Sequence, residues 1–257
     1  MRAIWTGAIG FGLVNIPVKI YSATEESRVD LDMLDKNDHS NIKFQRVNEK
    51  TGKVVNWNDI VKGYKYEDEY IILTDEDFAK AYPKKSKTIE ILEFIKETEI
   101  DSIYFESPYY LEPDKSGERA YALLREALAK SKKVGLASFI LRNKEQLAVV
   151  KPMEKVMVLN RIRFHEEIRD FNKLDLPDKK EVKGGELDLA MSLIDQLTKK
   201  FDLSKYKDTY KEEIMKIIEA KAEGKDTKIK KLVVPTTKAK DLMAQLKASL
   251  ETAKQAS

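Results

Sequence analysis

The chain of 257 residues is 42% hydrophobic and 35% charged, enough apolar side chain for a core and more charge than the usual ~25%. It sets 47 Lys and Arg against 44 Asp and Glu, a formal net charge of +3, which excludes a strongly basic tail protein but not one with base concentrated on one surface. The absence of cysteine excludes disulfides, Cys zinc sites, iron–sulfur clusters and thiol nucleophiles; His39 and His165 lie too far apart for an HExxH zinc site, and no run reaches the ~18 apolar residues of a membrane helix.

The uncharged stretch Ala3 to Val18 superficially resembles a signal peptide, but Gly7, Gly10, Gly12, Asn15 and Pro17 interrupt it, so it reads as a buried strand pair. Ile9, Phe11 and Leu13 alternate with smaller residues, and Ile16, Val18 and Ile20 continue after Asn15. The order Gly7-Ala-Ile-Gly10-Phe-Gly12 fits neither a dinucleotide loop nor a P-loop and reads as close strand packing. Next come a short run at Ile42–Val47, a turn at Asn48-Glu-Lys-Thr-Gly52 and a return strand at Lys53–Trp57. Further strands are expected at Tyr70–Thr74, Thr88–Ile95, Gly135–Leu141, Gln146–Val150 and Lys155–Asn160. A short helix runs from Asp75 to Tyr82, and a longer one, capped by Ser116, carries Ala120, Leu124, Ala127 and Leu128 on one face.

Past Gly184-Gly185 the period becomes helical. Leu187, Ala190, Met191, Ile194, Leu197 and Phe201 make one stripe, and Tyr210, Ile214, Ile217 and Ile218 make a second behind the capping box Thr209-x-x-Glu212, with Gly224 as its stop. A last helix beyond Pro235 carries Leu242, Met243, Leu246 and Leu250 on one side. With no large core of their own to fill, the first two stripes point to burial on a partner copy; the last can dock in a partner's groove or pack on its own arm.

Charge is arranged in blocks. Residues 36–65 hold Lys36, Lys43, Arg46, Lys50, Lys53, Lys62 and Lys65 against three acids, and Lys80, Lys84, Lys85 and Lys87 follow. Residues 88–118 set nine acids against two bases; residues 132–163, which include Arg142 and Lys144, set eight bases against two acids; the final 33 residues set eight bases against three. Solvated surface charge accounts for any one lysine, but basic blocks converging on one face would attract phosphates, with the acidic block keeping the opposite surface free of nucleic acid. Carboxylate pairs such as Glu166-Glu167 and Asp75-Glu-Asp77 lack a metal-ligand partner set, and no catalytic constellation is present. Trp5 and Trp57 could stack on bases, but packing is the commoner role.

The opening Met1-Arg-Ala-Ile-Trp-Thr-Gly-Ala-Ile-Gly-Phe-Gly-Leu-Val-Asn-Ile-Pro-Val-Lys19-Ile-Tyr-Ser-Ala resembles that of prokaryotic Ku proteins. So do Phe44-Gln-Arg-Val, Ile91-Leu-Glu-Phe, Tyr110-Leu-Glu-Pro-Asp, Leu141-Arg-Asn-Lys and Glu167-Ile-Arg-Asp. Tyr206-Lys-Asp-Thr-Tyr, Glu219-Ala-Lys-Ala-Glu-Gly and the final Asp241-Leu-Met-Ala-Gln-Leu-Lys-Ala-Ser-Leu continue the match over nearly the whole chain.

The resemblance implies a β-rich α+β fold: a Ku-type β-barrel over residues 1–185 with a DNA-encircling bridge inserted at about 28–88, a dimerising helical arm at 186–230, and a partner-binding C-terminal helix at 231–257. It implies a homodimeric ring on double-stranded DNA ends that bridges and protects them in non-homologous end joining and recruits a multifunctional ATP-dependent DNA ligase. Such a protein is not an enzyme, needs no cofactor or metal, reads no base sequence, associates with the nucleoid in the bacterial cytoplasm and does not use a membrane. The basic residues named in blocks 36–65 and 84–87, with Arg142 and Lys144, are then the DNA contacts. Many relatives carry Cys-x-x-Cys where this chain has Asn48–Gly52, so a metal there is not expected; many also end in a long Lys-rich tail, whose functions are not expected of a chain stopping at Ser257. Without the resemblance, the open alternatives are a metal-dependent nuclease, a generic basic DNA-binding module and a scaffold for an acidic protein partner.

Overall fold

A computed structural model describes residues 1–81, 87–142, 144–177, 184–225 and 242–255. They fall into two compact units, Met1–Glu26 with Leu31–Arg169, and Ser27–Asp30 with Asp170–Ser257.

The first unit is built on a closed seven-stranded barrel, ordered β1-β2-β6-β9-β8-β7-β5: β1 (Trp5–Phe11), β2 (Val14–Ser22), β5 (Thr88–Ile95), β6 (Phe105–Pro113), β7 (Val134–Leu141), β8 (Lys144–Met153) and β9 (Val156–Ile162). All neighbours are antiparallel except β1 and β5. The glycines of β1 permit that parallel contact. A Cβ on Gly7 would lie 2.1 Å from the Lys87 carbonyl oxygen, and one on Gly10 would lie 2.9 Å from Thr88 Cγ2. The expected strand pair at the N-terminus is thus present, and Asn15 pairs with Gly10 inside it rather than breaking it. Leu13, expected on the alternating face, occupies the turn after Gly12 (φ 57°) and is fully exposed.

Inward-facing residues alternate along every strand and fill the lumen, including Ile9, Ile16, Val18, Ile20, Leu111, Phe139, Val150 and Leu159. Trp5 meets Phe139 edge-on and donates its indole N–H to the Ile140 carbonyl at 3.1 Å. One mouth is corked by α2 (Glu118–Ser131), whose Tyr121, Leu124 and Leu128 join the core. The buried Tyr121 hydroxyl donates to the Leu111 carbonyl at 2.7 Å and accepts from Met157 N–H at 2.6 Å, fixing the helix across the ends of β6 and β9. The N-cap is Gly117, packed against Pro17, and not Ser116, so close approach decides this helix start. Val134, Val149 and Ile162 form a second, outer cluster covered by Ile100, Tyr104 and Phe105. Strand β6 is not among the strands expected from sequence: Pro108 and Pro113 disguise it, each sitting where the ladder can spare an N–H.

Between β2 and β5 no described residue is buried. This long insertion holds β3 (Lys62–Tyr66) and β4 (Glu69–Leu73), paired as a separate hairpin, and the short α1 (Asp75–Ala81). The return strand expected at Lys53–Trp57 is reduced to one bridge, Val47 with Val54. The turn between them is as expected: Asn48 Oδ1 accepts from Lys50 and Thr51 N–H, and Gly52 is left-handed at φ 67°. A second knuckle closes through Leu34 and Asn41.

The second unit contains α3 (Gly184–Leu197), α4 (Thr209–Ala222) and α5 (Leu242–Gln255), with α3 packed against α5. Of the expected α3 stripe, Ala190 is half-buried, with Leu189 and Leu193 from outside it, and Leu187, Met191, Ile194 and Leu197 are at least half exposed. Phe201 lies beyond the helix end and is exposed. On α4 the cap is Asp208, which accepts from Lys211 N–H, and Thr209 is the first helical residue. Ile214 is half-buried, while Tyr210, Ile217 and Ile218 are exposed. Gly224 ends α4 in the left-handed conformation, as read from sequence. On α5, Leu246 and Leu250 are half-buried, and Leu242 and Met243 stay exposed.

Candidate nucleic-acid interface

The insertion between β2 and β5 carries the first group of expected DNA-contacting residues. Lys36 lies within the Leu34–Asn41 knuckle and Lys43 just after it, and Arg46, Lys50 and Lys53 sit on the Val47–Val54 knuckle, where Val55 N–H donates to the Arg46 carbonyl. The Arg46 guanidinium lies over the Trp57 ring, 4.5 Å from its centroid, so this tryptophan packs under a cation and leaves the charge outward. Lys62 and Lys65 are on opposite faces of the β3–β4 hairpin, since Lys62 pairs across to Leu73 and Lys65 to Tyr70. Lys62 caps the Phe78 ring at 4.7 Å. One face of the hairpin cannot present both.

Two others are on the barrel. Arg142 holds the β7–β8 turn in the left-handed conformation (φ 53°), and Lys144 opens β8, 2.9 Å from Glu167. Lys87 is exposed and anchored through its carbonyl, which accepts from Ala8 N–H at 2.8 Å. Lys84 and Lys85 lie outside the described residues.

Pairing divides these cations. Among the described residues, Lys36, Lys43, Arg46, Lys50, Lys53, Lys62 and Lys65 are exposed and make no ion pair. On the barrel, by contrast, Lys151 pairs with Glu97, and Arg161 with Glu106, with Arg163 at 4.0 Å from the same carboxylate. Two of the nine acids of the block 88–118, Glu97 and Glu106, thus pair with bases of the block 132–163. The Arg161 guanidinium holds the Glu106 carboxyl below its ordinary range, and Glu106 in turn raises Arg161. Glu167 is lowered by Lys144 and then by the N–H of Phe164. Arg161 and Arg163 are additional candidates that the sequence does not single out; their place in the basic block is the available signal, and the Glu106 partner of Arg161, 55 residues away, is not visible from it.

The insertion also exposes apolar side chains that a solvated loop does not need, among them Leu31 at 70%, Phe44 at 79%, Trp57 at 69% and Tyr64 at 65%. A surface with that much uncovered apolar area marks an interaction site. No group of three metal-ligating side chains occurs among the described residues, and no described helix is long and apolar enough to cross a membrane.

The family model for the Ku70/Ku80 beta-barrel domain matches residues 10–189. A non-homologous end joining protein Ku from Archaeoglobus fulgidus is 41% identical over 258 residues, covering 99% of this chain and 100% of its own. Proteins of the same name from Coxiella burnetii and Bacillus subtilis are each 39% identical, over 97% and 98% of this chain and 94% and 82% of theirs.

The chain belongs to the Ku family.

The closed barrel is this family's domain, and the match beginning at residue 10 takes in the insertion as well as the strands. Among solved structures, the SPOC domain of human PHD-finger protein 3 aligns with 63% of the chain at 12% identity and a TM-score of 0.30, a likeness that carries no argument. Within this Ku chain unpaired cations and uncovered apolar side chains occur together on the insertion, while on the barrel Lys19, Arg125, Lys144, Lys151, Arg161 and Arg163 have acidic partners.

Proposed function

We propose that the chain binds double-stranded DNA ends as a homodimeric ring, without reading base sequence and without catalysis, in non-homologous end joining. The observation that carries this reading is the insertion at about 28–88: Lys36, Lys43, Arg46, Lys50 and Lys53 are free cations with no core to support and no acid to neutralise them. Lys and Arg grip phosphates of any sequence, and counterion release supplies the affinity. The names of the relatives at about 40% identity support the pathway.

The barrel over 1–185 would cradle the duplex and the insertion would close over it. The arm at 186–230 would bury the exposed Leu187, Met191, Ile194, Leu197, Phe201, Tyr210, Ile217 and Ile218, with the half-buried Ile214, on a second copy. An obligate interface of that kind exceeds ~2,000 Å². The C-terminal helix within 231–257 would offer Leu242, Met243, Leu246 and Leu250 to an ATP-dependent DNA ligase. Such a protein works at the bacterial nucleoid.

The test is topological. An open basic surface accepts any stretch of duplex, whereas a closed ring loads only where the duplex has an end. Binding is expected to be tight to a short linear duplex and weak to the same sequence closed into a circle at equal salt. After loading, closing the DNA ends is expected to trap the protein against high salt. Equal affinity for both forms rejects the ring, and Mg²⁺- or Mn²⁺-dependent cleavage of either would instead establish the nuclease reading.

A further inference from the structure

The barrel's two mouths differ. α2 closes one; the other, where β2 ends and β8 begins, is left open as a cavity of about 480 Å³. Its wall includes Ser22, Tyr109, Arg142, Lys144, Gln146 and Arg161. These come from four strands and one turn, so the rigid barrel places them, and the cavity is within the size range of small-ligand sites.

Four of these groups have unused binding capacity. Gln146 is 9% exposed, yet its carboxamide makes a single bond, from Nε2 to the Lys144 carbonyl of its own strand at 3.4 Å, near the limit for a hydrogen bond. Buried amides are normally fully served, so this one has room for a partner in the cavity. The half-buried Tyr109 has no hydroxyl hydrogen-bond partner among the described residues and lines the same cavity as Arg161. Arg161 uses one edge only: Nε donates to Glu106 Oε2 at 2.8 Å and Nη2 to Oε1, which leaves Nη1 free and the plane fixed. At the rim, Arg142 has no ion-pair partner among the described residues, while Lys144 is held by Glu167.

We propose that this open mouth is a phosphate cup that takes a phosphomonoester. Two arginines, a phenol O–H and a buried amide N–H match the three terminal oxygens and extra charge of a monoester. A recessed cup admits a terminal group, whereas a phosphodiester within a duplex is flanked by the continuing backbone and cannot enter. The phosphomonoester is carried either by a free nucleotide or by the 5′ end of a DNA strand. The site goes beyond the duplex grip proposed above and does not depend on a ring.

The decisive measurement titrates the full chain with deoxyadenosine 5′-monophosphate at low salt, followed by ³¹P NMR, with deoxyadenosine as the unphosphorylated control. Saturable binding of the monophosphate alone is expected. Arg142→Gln, on an exposed turn, should weaken it by about tenfold or more, the loss of one charge-assisted hydrogen bond. Tyr109→Phe, which keeps the ring and its packing, should weaken it by about threefold or more. Arg161 is left intact because its removal would strand Glu106. A second arm compares 5′-phosphorylated with 5′-hydroxyl linear duplex: tighter binding of the former assigns the cup to a DNA terminus, and equal binding assigns it to free nucleotides. Absent binding of the monophosphate, or binding that both variants leave unchanged, overturns the cup. A chain that ignores the monophosphate yet still prefers linear over circular duplex loses the cup and keeps end binding; the reverse pattern keeps the cup and removes end binding.

Discussion

The barrel and its insertion use the same residue types to opposite ends. In the barrel, Ile, Val, Leu and Phe are enclosed by strand closure, and Lys151 and Arg161 are matched with Glu97 and Glu106. In the insertion, Leu31, Phe44, Trp57 and Tyr64 stay in solvent, and no described residue between Ile20 and Ile89 is buried. A sheet closed into a barrel has no edge and satisfies itself. A two-stranded hairpin with two small knuckles is too little structure to be stable in isolation. The barrel is therefore a platform whose inward-facing apolar side chains are enclosed, and the insertion is a surface whose apolar side chains are covered only when something else covers them.

The largest expected effect breaks this contrast at its two ends. Phe139 is 2% exposed in the lumen, and Phe139→Ala should cost about 3–5 kcal/mol of stability by leaving a cavity. Phe44 is 79% exposed, and Phe44→Ala should change monomer stability by no more than ~0.5 kcal/mol. If a second copy covers the insertion, the same change should instead raise the dissociation constant of the dimer. Urea unfolding at several protein concentrations separates the outcomes: a large, concentration-independent loss for Phe44→Ala would mean that the insertion has its own core.

The next effect concerns charge. Replacing Lys36, Lys43, Arg46, Lys50 and Lys53 together by Ala should weaken duplex binding for every sequence alike. It should also flatten the salt dependence by about 0.9 in slope for each DNA phosphate that is no longer neutralised. Dimerisation, read by light scattering, should survive. An unchanged slope would place the grip elsewhere, with Arg142 and the barrel rim as the next candidates.

Which parts of this are readable from sequence follows from the range of the interaction concerned. The glycines of β1, the Asn48–Gly52 turn and the Gly224 stop are legible because each is decided within a few residues. β6 is not, because Pro108 and Pro113 are tolerable only at particular ladder positions, which are set by β2 and β9. The barrel pairs are not, because Arg161 meets Glu106 across 55 residues and Lys151 meets Glu97 across 54. Blocks of like charge in sequence thus meet partners from another block at Lys151 and Arg161 of the barrel and, among the described residues, meet none at Lys36 to Lys53 of the insertion, and composition cannot tell the two apart. On α3, helical period identifies an apolar stripe, of which Ala190 is half-buried together with Leu189 and Leu193 from outside it, while Leu187, Met191, Ile194 and Leu197 stay exposed.

A smaller effect tests the barrel's self-sufficiency by pH. Glu106 and Glu167 have folded-state pKa values lowered from an ordinary 4.5, chiefly by Arg161 and Lys144 respectively. A carboxyl lowered by folding contributes stability that is complete above its unfolded pKa and lost as pH falls through its folded value. Thermal stability should therefore be level from neutrality down to about pH 5 as far as these groups are concerned, and fall below about pH 4.5. Glu106→Gln should lower stability at pH 7 and reduce the acid slope, and DNA-free melting curves from pH 3 to 7 read both. An unaltered acid slope in that variant would show that the pair with Arg161 is not a net contributor.

The smallest effect sharpens the insertion side. Arg46 over Trp57 is a cation–π contact in an exposed segment, worth about 0.5–1 kcal/mol. That is too little to hold a fold, but enough to restrict where one guanidinium points. If its role is to hold Arg46 ready for phosphate, Trp57→Leu should leave the melting temperature of the barrel unchanged and weaken duplex binding only a few-fold. Arg46→Lys keeps the charge but loses the planar face that stacks on the ring, and should weaken binding by a similar factor. The double variant should be no weaker than the worse of the two, because either change alone already frees the cation. Losses that simply add would show that Trp57 touches DNA itself, stacking on a base at the end of the duplex instead of orienting its neighbour.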